Sequence, residues 1–149
     1  MKKGDVAPSF ELENQFGKKI NLSDFLKKQP IVLFFYPRDN TPGCTKEACT
    51  FRDFHSEFNA LGCKIFGISS DSVERHAQFA NDHKLTYDLL ADTTGKVRKL
   101  YKVPTNLLGL IPGRVTYIID ADGKIVDIHN SLTNPVDHIS NALEIVKSL

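Results

Sequence analysis

Ile31-Val32-Leu33-Phe34-Phe35-Tyr36-Pro37 is an unbroken apolar run stopped by a proline. A run of this kind, without polar alternation, is the pattern of a strand buried on both faces at the centre of a parallel sheet. Such a strand feeds a loop and a covering helix. The segment that follows, PRDNTPGCTKEAC, clusters Pro, Gly and Thr, and predicts a helix N-terminus near Thr41 to Thr45. Beyond it Ala48, Phe51, Phe54, Phe58 and Leu61 recur at the i, i+3, i+4 spacing of one helix that packs on the sheet and stops at Gly62.

Downstream, Cys63 to Ile68 reads as a second strand. Ser72 to Lys84 reads as a helix with Val73, Ala77, Phe79 and Ala80 inward, and Tyr87 to Ala91 as an extended segment, giving a βαβα rhythm. Upstream, Phe10, Leu12 and Ile20 alternate around Asn14 to Gly17 as an N-terminal hairpin, and Ser23 is the expected cap of a turn over Asp24 to Lys28. Toward the C-terminus, Thr93 or Thr94 is expected to cap a turn through Val97 and Leu100. Val115 to Ile119 and Lys124 to Ile128 flank the polar turn Asp122-Gly123 as a hairpin. Asn134 caps a closing helix with Pro135 in its first position and Val136, Ile139, Leu143, Val146 and Leu149 as its buried stripe. Between Pro104 and Gly113, Leu107, Leu108, Leu110 and Ile111 are apolar without a clean period; they suit either core or a substrate approach route. With no repeat or linker, residues 1–149 are expected to form a single α/β domain.

The 149 residues are 41% hydrophobic and 25% charged, as in an ordinary soluble domain. Nineteen Lys plus Arg against 18 Asp plus Glu leave a formal charge of +1, so nothing argues for nucleic acid or anionic lipid as partner. No apolar run approaches the roughly 20 residues of a membrane-spanning helix. The first residues lack the apolar centre of a secretory signal, so a cytoplasmic location is expected, or a plastid if a transit segment was removed.

Cys44, Cys49 and Cys63 are too few, and odd in number, for a disulfide-built scaffold. Cys44 falls in the expected first helical turn, where free backbone N–H groups and the positive helix end favour a thiolate. The alternative, a small cysteine packed at a helix start, weakens against clustered Pro, Gly and Thr. Gly43 clears the approach, and Pro42 and Pro37 stiffen the loop. In an unbroken helix Cys49 lies about 140° around and ~7.5 Å along from Cys44, so the Cα atoms are roughly 8–9 Å apart. That exceeds the ~7 Å limit for a disulfide, so the pair bonds only if the first turn unwinds. Cys63 opens a strand with no cationic or polar cluster nearby and reads as filler. Thr41, three residues before Cys44, either caps the helix or offers its hydroxyl to the sulfur or a substrate. A neighbouring cation would support the thiolate, and sequence alone does not choose among Arg38, Arg52 and Arg114. Glu47 reads as structural support, since its charge would oppose a thiolate. The five histidines, at 55, 76, 83, 129 and 138, sit among polar neighbours and are expected on solvated faces.

PRDNTPGCTKEACTFRD, with GDVAPSFEL near the N-terminus and PGRVTYIID later, resembles the peroxiredoxin Q, or bacterioferritin comigratory protein, branch of the peroxiredoxins, over essentially the whole chain. The pattern PxxxTxxC is filled by Pro37, Thr41 and Cys44, with the branch's second cysteine at Cys49 and its arginine at Arg114. The resemblance implies a thioredoxin-like fold: a central mixed sheet flanked by helices, with an N-terminal β-hairpin. It also implies an atypical 2-Cys peroxidase acting on hydrogen peroxide and organic hydroperoxides, with Cys44 peroxidatic and Cys49 resolving. The expected reductant is thioredoxin or a similar dithiol, the expected state a monomer, and no cofactor or metal is required. The rivals are a thioredoxin-like disulfide oxidoreductase, which usually has two residues rather than four between its cysteines, and a non-enzymatic peroxide sensor. A metal module of Cys44, Cys49, His55 and Cys63 fits no standard zinc spacing.

Overall fold

A computed structural model describes residues 1–106, 109 and 111–149. Its strands are β1 (Glu11–Glu13), β2 (Lys19–Asn21), β3 (Ile31–Phe35), β4 (Lys64–Ser69), β5 (Asp88–Ala91), β6 (Thr105–Asn106), β7 (Ile111–Pro112), β8 (Val115–Ile119) and β9 (Ile125–Asn130). Its α-helices are α1 (Pro42–Asp53), α2 (His55–Ala60), α3 (Val73–His83), α4 (Lys96–Leu100) and α5 (Pro135–Lys147). Five strands form a mixed sheet in the order β5-β4-β3-β8-β9, and β1 and β2 form the N-terminal antiparallel hairpin. The central run is at the centre of this sheet, but it is parallel only to β4; its other neighbour, β8, is antiparallel. That antiparallel neighbour positions the site, because it sets Val115 beside Phe35 and so brings Arg114 to the edge where β3 releases the chain into α1.

Every residue of β3 is buried, and its side chains divide between two cores. Val32, Phe34 and Tyr36 pack with Ala48, Phe51, Phe58, Phe79, Ile139, Ala142 and Val146. Ile31, Leu33 and Phe35 pack with Leu22, Val97, Tyr101 and Tyr117 on the opposite face. Phe34 stacks on Phe51 with centroids 4.4 Å apart, and burying one such ring contributes about 1.5–3 kcal/mol. Gly67 makes room for it: a Cβ there would lie 2.7 Å from the Phe34 ring.

Several local expectations are corrected. The helix expected from Ala48 to Leu61 is two, separated at Phe54 (φ −101°, ψ 5°), and Phe54 and Leu61 are both more than one-third exposed. The apolar spacing persisted across a break that it could not register. Asn21, not Ser23, caps the first turn, a short 3₁₀ segment over Leu22–Asp24; the Asn21 carboxamide oxygen accepts from the Ser23 N–H and hydroxyl. Neither Thr93 nor Thr94 caps α4: Asp92 reaches across Gly95 to accept from the Val97 and Arg98 amides. Asn134 stands at the α5 N-cap position without a capping bond, and Pro135 opens the helix as expected. The inward stripe of α5 is His138, Ile139, Ala142 and Val146, whereas Val136 and Leu149 are exposed. On α3, Phe79 and Ala80 face inward as expected, but Val73 and Ala77 are only half-buried and His76 takes the core position. Of the apolar stretch weighed as core or approach route, Leu107, Leu108 and Leu110 lie outside the described residues. Among the described residues no helix is long and apolar enough to cross a membrane.

Candidate active site around Cys44

α1 begins at Pro42, so Cys44 occupies its first turn as expected, and Cys44, Cys49 and Cys63 are all free thiols. With α1 wound from Pro42 to Asp53, Cys44 and Cys49 sit on one continuous helix, at the spacing that forbids a disulfide. Cys44 is 1% exposed and Cys49 half-buried. Cys63 is buried against the sheet, and burial pushes its thiol up to about 12, which leaves it inert at neutral pH.

Three arginines were candidates, and the fold brings Arg114 to the sulfur. Its guanidinium is 4% exposed and uses its fork in three directions: one terminal N–H donates to Cys44 Sγ at 3.4 Å, the other to Glu47 Oε1 at 2.6 Å, and Nε–H to the Leu132 carbonyl at 3.1 Å. Burial works against its charge, but Glu47 and Cys44 beside it raise its affinity for the proton. Gly43 is what permits the approach, because a Cβ at that position would stand 3.1 Å from the guanidinium nitrogen. Arg38 is exposed, and Arg52 turns to Asp53 and the His83 carbonyl.

Glu47, read from sequence as support, is fully buried and is the partner that orients Arg114. Burial pushes its carboxyl up to about 8, against the opposing pull of Arg114. The pair holds the guanidinium in place beside the sulfur, with burial and Arg114 acting on the carboxyl in opposite directions. Glu47 Oε2 has no hydrogen-bond partner among the described residues and lies 3.6 Å from His138 Nδ1. His138 is fully buried, and burial holds its ring down at about 4, hence neutral. Its Nε2–H faces the Ser131 carbonyl at 2.8 Å, and Nδ1 faces the Thr116 hydroxyl at 2.7 Å.

Thr41 occupies the N-cap position of α1 but makes no capping bond; its hydroxyl donates to the Arg38 carbonyl at 2.9 Å. That bond fixes the side chain while its lone pairs stay open to a donor. Pro37, half-buried, ends the sheet segment and turns the chain into the loop. The structure thus gathers Cys44, Arg114, Glu47 and Gly43 directly, with Thr41 and Pro37 on the adjoining loop and Cys49 farther along the same helix.

Two histidines expected on solvated faces are fully buried, His76 and His138. A signal for His76 was present: it lies three residues from both Val73 and Phe79, inside the inward stripe of its helix. Tyr36 closes a buried run with a hydroxyl that needs a partner, and Asp39, three residues on, supplies it at 2.6 Å. Among the described residues, the potential metal-ligating cluster is Asp39, Asp71 and His76 rather than the combination of Cys44, Cys49, His55 and Cys63.

Residues 3–128 match the model of the AhpC/TSA family. Over 147 residues the chain is 45% identical to the chloroplastic peroxiredoxin Q of Sedum lineare, covering 99% of this chain and 78% of that one. Its fold matches the crystal structure of peroxidoxin BcpB from Mycobacterium tuberculosis with a TM-score of 0.92 at 41% identity, covering 100% of this chain and 98% of the other. The bacterioferritin comigratory protein of Xanthomonas campestris, whose structures address its alkyl peroxide reduction activity, matches with a TM-score of 0.81 at 25% identity over 95% of this chain and 98% of that one.

Proposed function

Because the chain belongs to the AhpC/TSA family and, within it, to the peroxiredoxin Q branch of thiol-dependent peroxidases, we propose that Cys44 is its peroxidatic sulfur and Cys49 its resolving one. The observation that carries this reading is the 3.4 Å contact from a buried guanidinium to Cys44 Sγ at a helix N-terminus. Arg114 and the unpaired first-turn amides favour the thiolate and offer donors to a peroxide. The thiolate attacks one peroxide oxygen, an S–O bond forms as the O–O bond breaks, and the departing oxygen takes up a proton to leave as water or alcohol. The sulfur is oxidised by two electrons to a sulfenic acid. Thr41 orients the substrate through its open lone pairs, and Pro37 shapes the wall of the loop.

The first turn of α1 then unwinds, the Cys49 thiolate displaces water from the sulfenic sulfur, and a dithiol reductant of the thioredoxin type restores both thiols through a mixed disulfide. Hydrogen peroxide and organic hydroperoxides are the proposed substrates; the alkyl peroxide activity of the Xanthomonas campestris relative supports the second class. A single-domain monomer in the cytoplasm is the proposed setting, and the chloroplastic plant relative supports a plastid as the alternative.

The test is peroxide consumption with an excess of dithiol reductant. Wild type is expected to turn over many times. With a protein dithiol of the thioredoxin type, which does not reach a sulfur 1% exposed, Cys49→Ser is expected to consume one equivalent and stall, with one added oxygen on Cys44. Single-equivalent consumption by wild type as well would favour the sensor reading, in which the oxidised cysteine passes its oxidation to a client.

A further inference from the structure

The loop between β3 and α1 also carries a second buried network that the chemistry above does not use. Asp39, 1% exposed, sits midway between β3 and α1 and has every polar side-chain atom engaged. Its Oδ1 accepts from the Tyr36 hydroxyl at 2.6 Å, its Oδ2 lies 2.6 Å from His76 Nδ1, and its amide donates to Asp71 Oδ2 at 2.8 Å. Asp71 is itself fixed by the Ser69 hydroxyl at 2.7 Å and Arg75 Nε at 2.8 Å. His76, fully buried, faces the Leu90 carbonyl through Nε2 at 3.0 Å. A carbonyl only accepts, so Nε2 carries a hydrogen, and the short Nδ1–Oδ2 contact must hold one proton between ring and carboxyl. One loop residue is thereby tied to the end of β3, the β4–α3 connection, α3 and β5. The next residue, Asn40, is exposed and left-handed (φ +61°), the point at which the chain turns toward α1.

We propose that Asp39, held by His76 and Tyr36, is a positioning residue that pins the chain just before the peroxidatic helix, confining oxidation-linked unwinding to the segment from Asn40 to Cys49 and setting its rate. The inference rests on the proposed roles of Cys44 and Cys49. Peroxide reduction needs the wound helix, where Arg114 touches the sulfur; disulfide formation needs the unwound one. A pin on the loop stabilises the wound form. Weakening it raises the small unwound fraction in proportion, while a predominantly wound population loses little of its reactivity with peroxide.

The experiment follows both steps with hydrogen peroxide, quenching with an alkylating reagent and resolving thiol, sulfenic acid and disulfide by intact mass. Asp39→Ala, which removes two side-chain hydrogen bonds, is expected to speed first-order disulfide formation about tenfold, with bimolecular oxidation of Cys44 unchanged or slowed by less than about threefold. Asp39→Asn keeps the acceptor for Tyr36 and offers an N–H to a neutral His76, so it is expected to restore both rates to near wild type. Should Asp39→Ala not fold, Tyr36→Phe, which removes one of these bonds, is expected to speed disulfide formation about threefold. A general loss of packing would slow both steps together. Wild type that forms no disulfide between residues 44 and 49 would overturn the cysteine assignment and this inference with it. Wild type that forms it, with variants that form it no faster, would overturn the pin alone.

Discussion

Cys44→Ser is expected to lower the second-order rate of peroxide reduction by at least about three orders of magnitude while leaving the fold intact. A serine hydroxyl differs from the thiol by one atom and fits the space beside Arg114, so packing with Ala48 and the β3 core survives. What is lost is the ionisable, polarisable atom: a serine hydroxyl in this setting stays protonated, and among the described residues no buried base stands ready to take its proton. The neighbouring carboxyl, Glu47, is bonded to Arg114, and His138 is occupied by Thr116 and Ser131. Stopped-flow peroxide consumption with matched circular dichroism checks both halves, and substantial turnover by this variant would move the nucleophile elsewhere.

Arg114→Ala is the second large effect. Removing a preorganised donor at a site of changing charge costs about 10²–10³ in rate. The guanidinium contact to Cys44 Sγ also disappears, and stopped-flow oxidation of Cys44 by hydrogen peroxide checks the loss in rate. Stability responds separately. Glu47, raised by burial to about 8 in the folded protein, binds more protons folded than unfolded between its ordinary value and that pH, so its contribution declines as pH rises through this window. Arg114 is the influence holding that value down, and without it the carboxyl keeps its proton to higher pH and the decline continues further. Below about 8 the variant is expected to be less stable by about 1–3 kcal/mol, the cost of an unpaired buried acceptor, with a gap that widens above it. Thermal unfolding of both proteins across this pH range checks the sign; a gap that narrows with rising pH would show that Arg114 does not hold the Glu47 value down.

The run from Ile31 to Tyr36 was enough to read the central strand, because uninterrupted burial on two faces leaves its mark in composition. The proline that ends it and the glycine and threonine that follow were enough to place Cys44 at a helix start. Strand direction was not readable to the same degree: the apolar residues of β8 look the same whether the strand runs parallel or antiparallel to β3. Nor could charge alone select Arg114, since its contact with the sulfur joins residues 70 positions apart. Buried polar groups were the main omission. The burial of His138 and Glu47, and the bonding of His76, are set by partners from elsewhere in the chain, Thr116, Arg114 and Asp39, that a linear reading does not bring together. Caps failed for a related reason: Asp92 reaches forward over Gly95 to hold the α4 amides, so the residue doing the capping stood outside the window where a cap is sought.

The central claim is that one sulfur is oxidised in the wound helix and is joined by the second only after the first turn opens. Intact mass and peptide mapping of the wild-type protein after a single equivalent of hydrogen peroxide, without reductant, test it most directly. The expected result is the loss of two hydrogens and a crosslink between Cys44 and Cys49, with Cys63 still free. Oxygen retained on Cys44 with Cys49 unreacted, or a crosslink through Cys63, would contradict it.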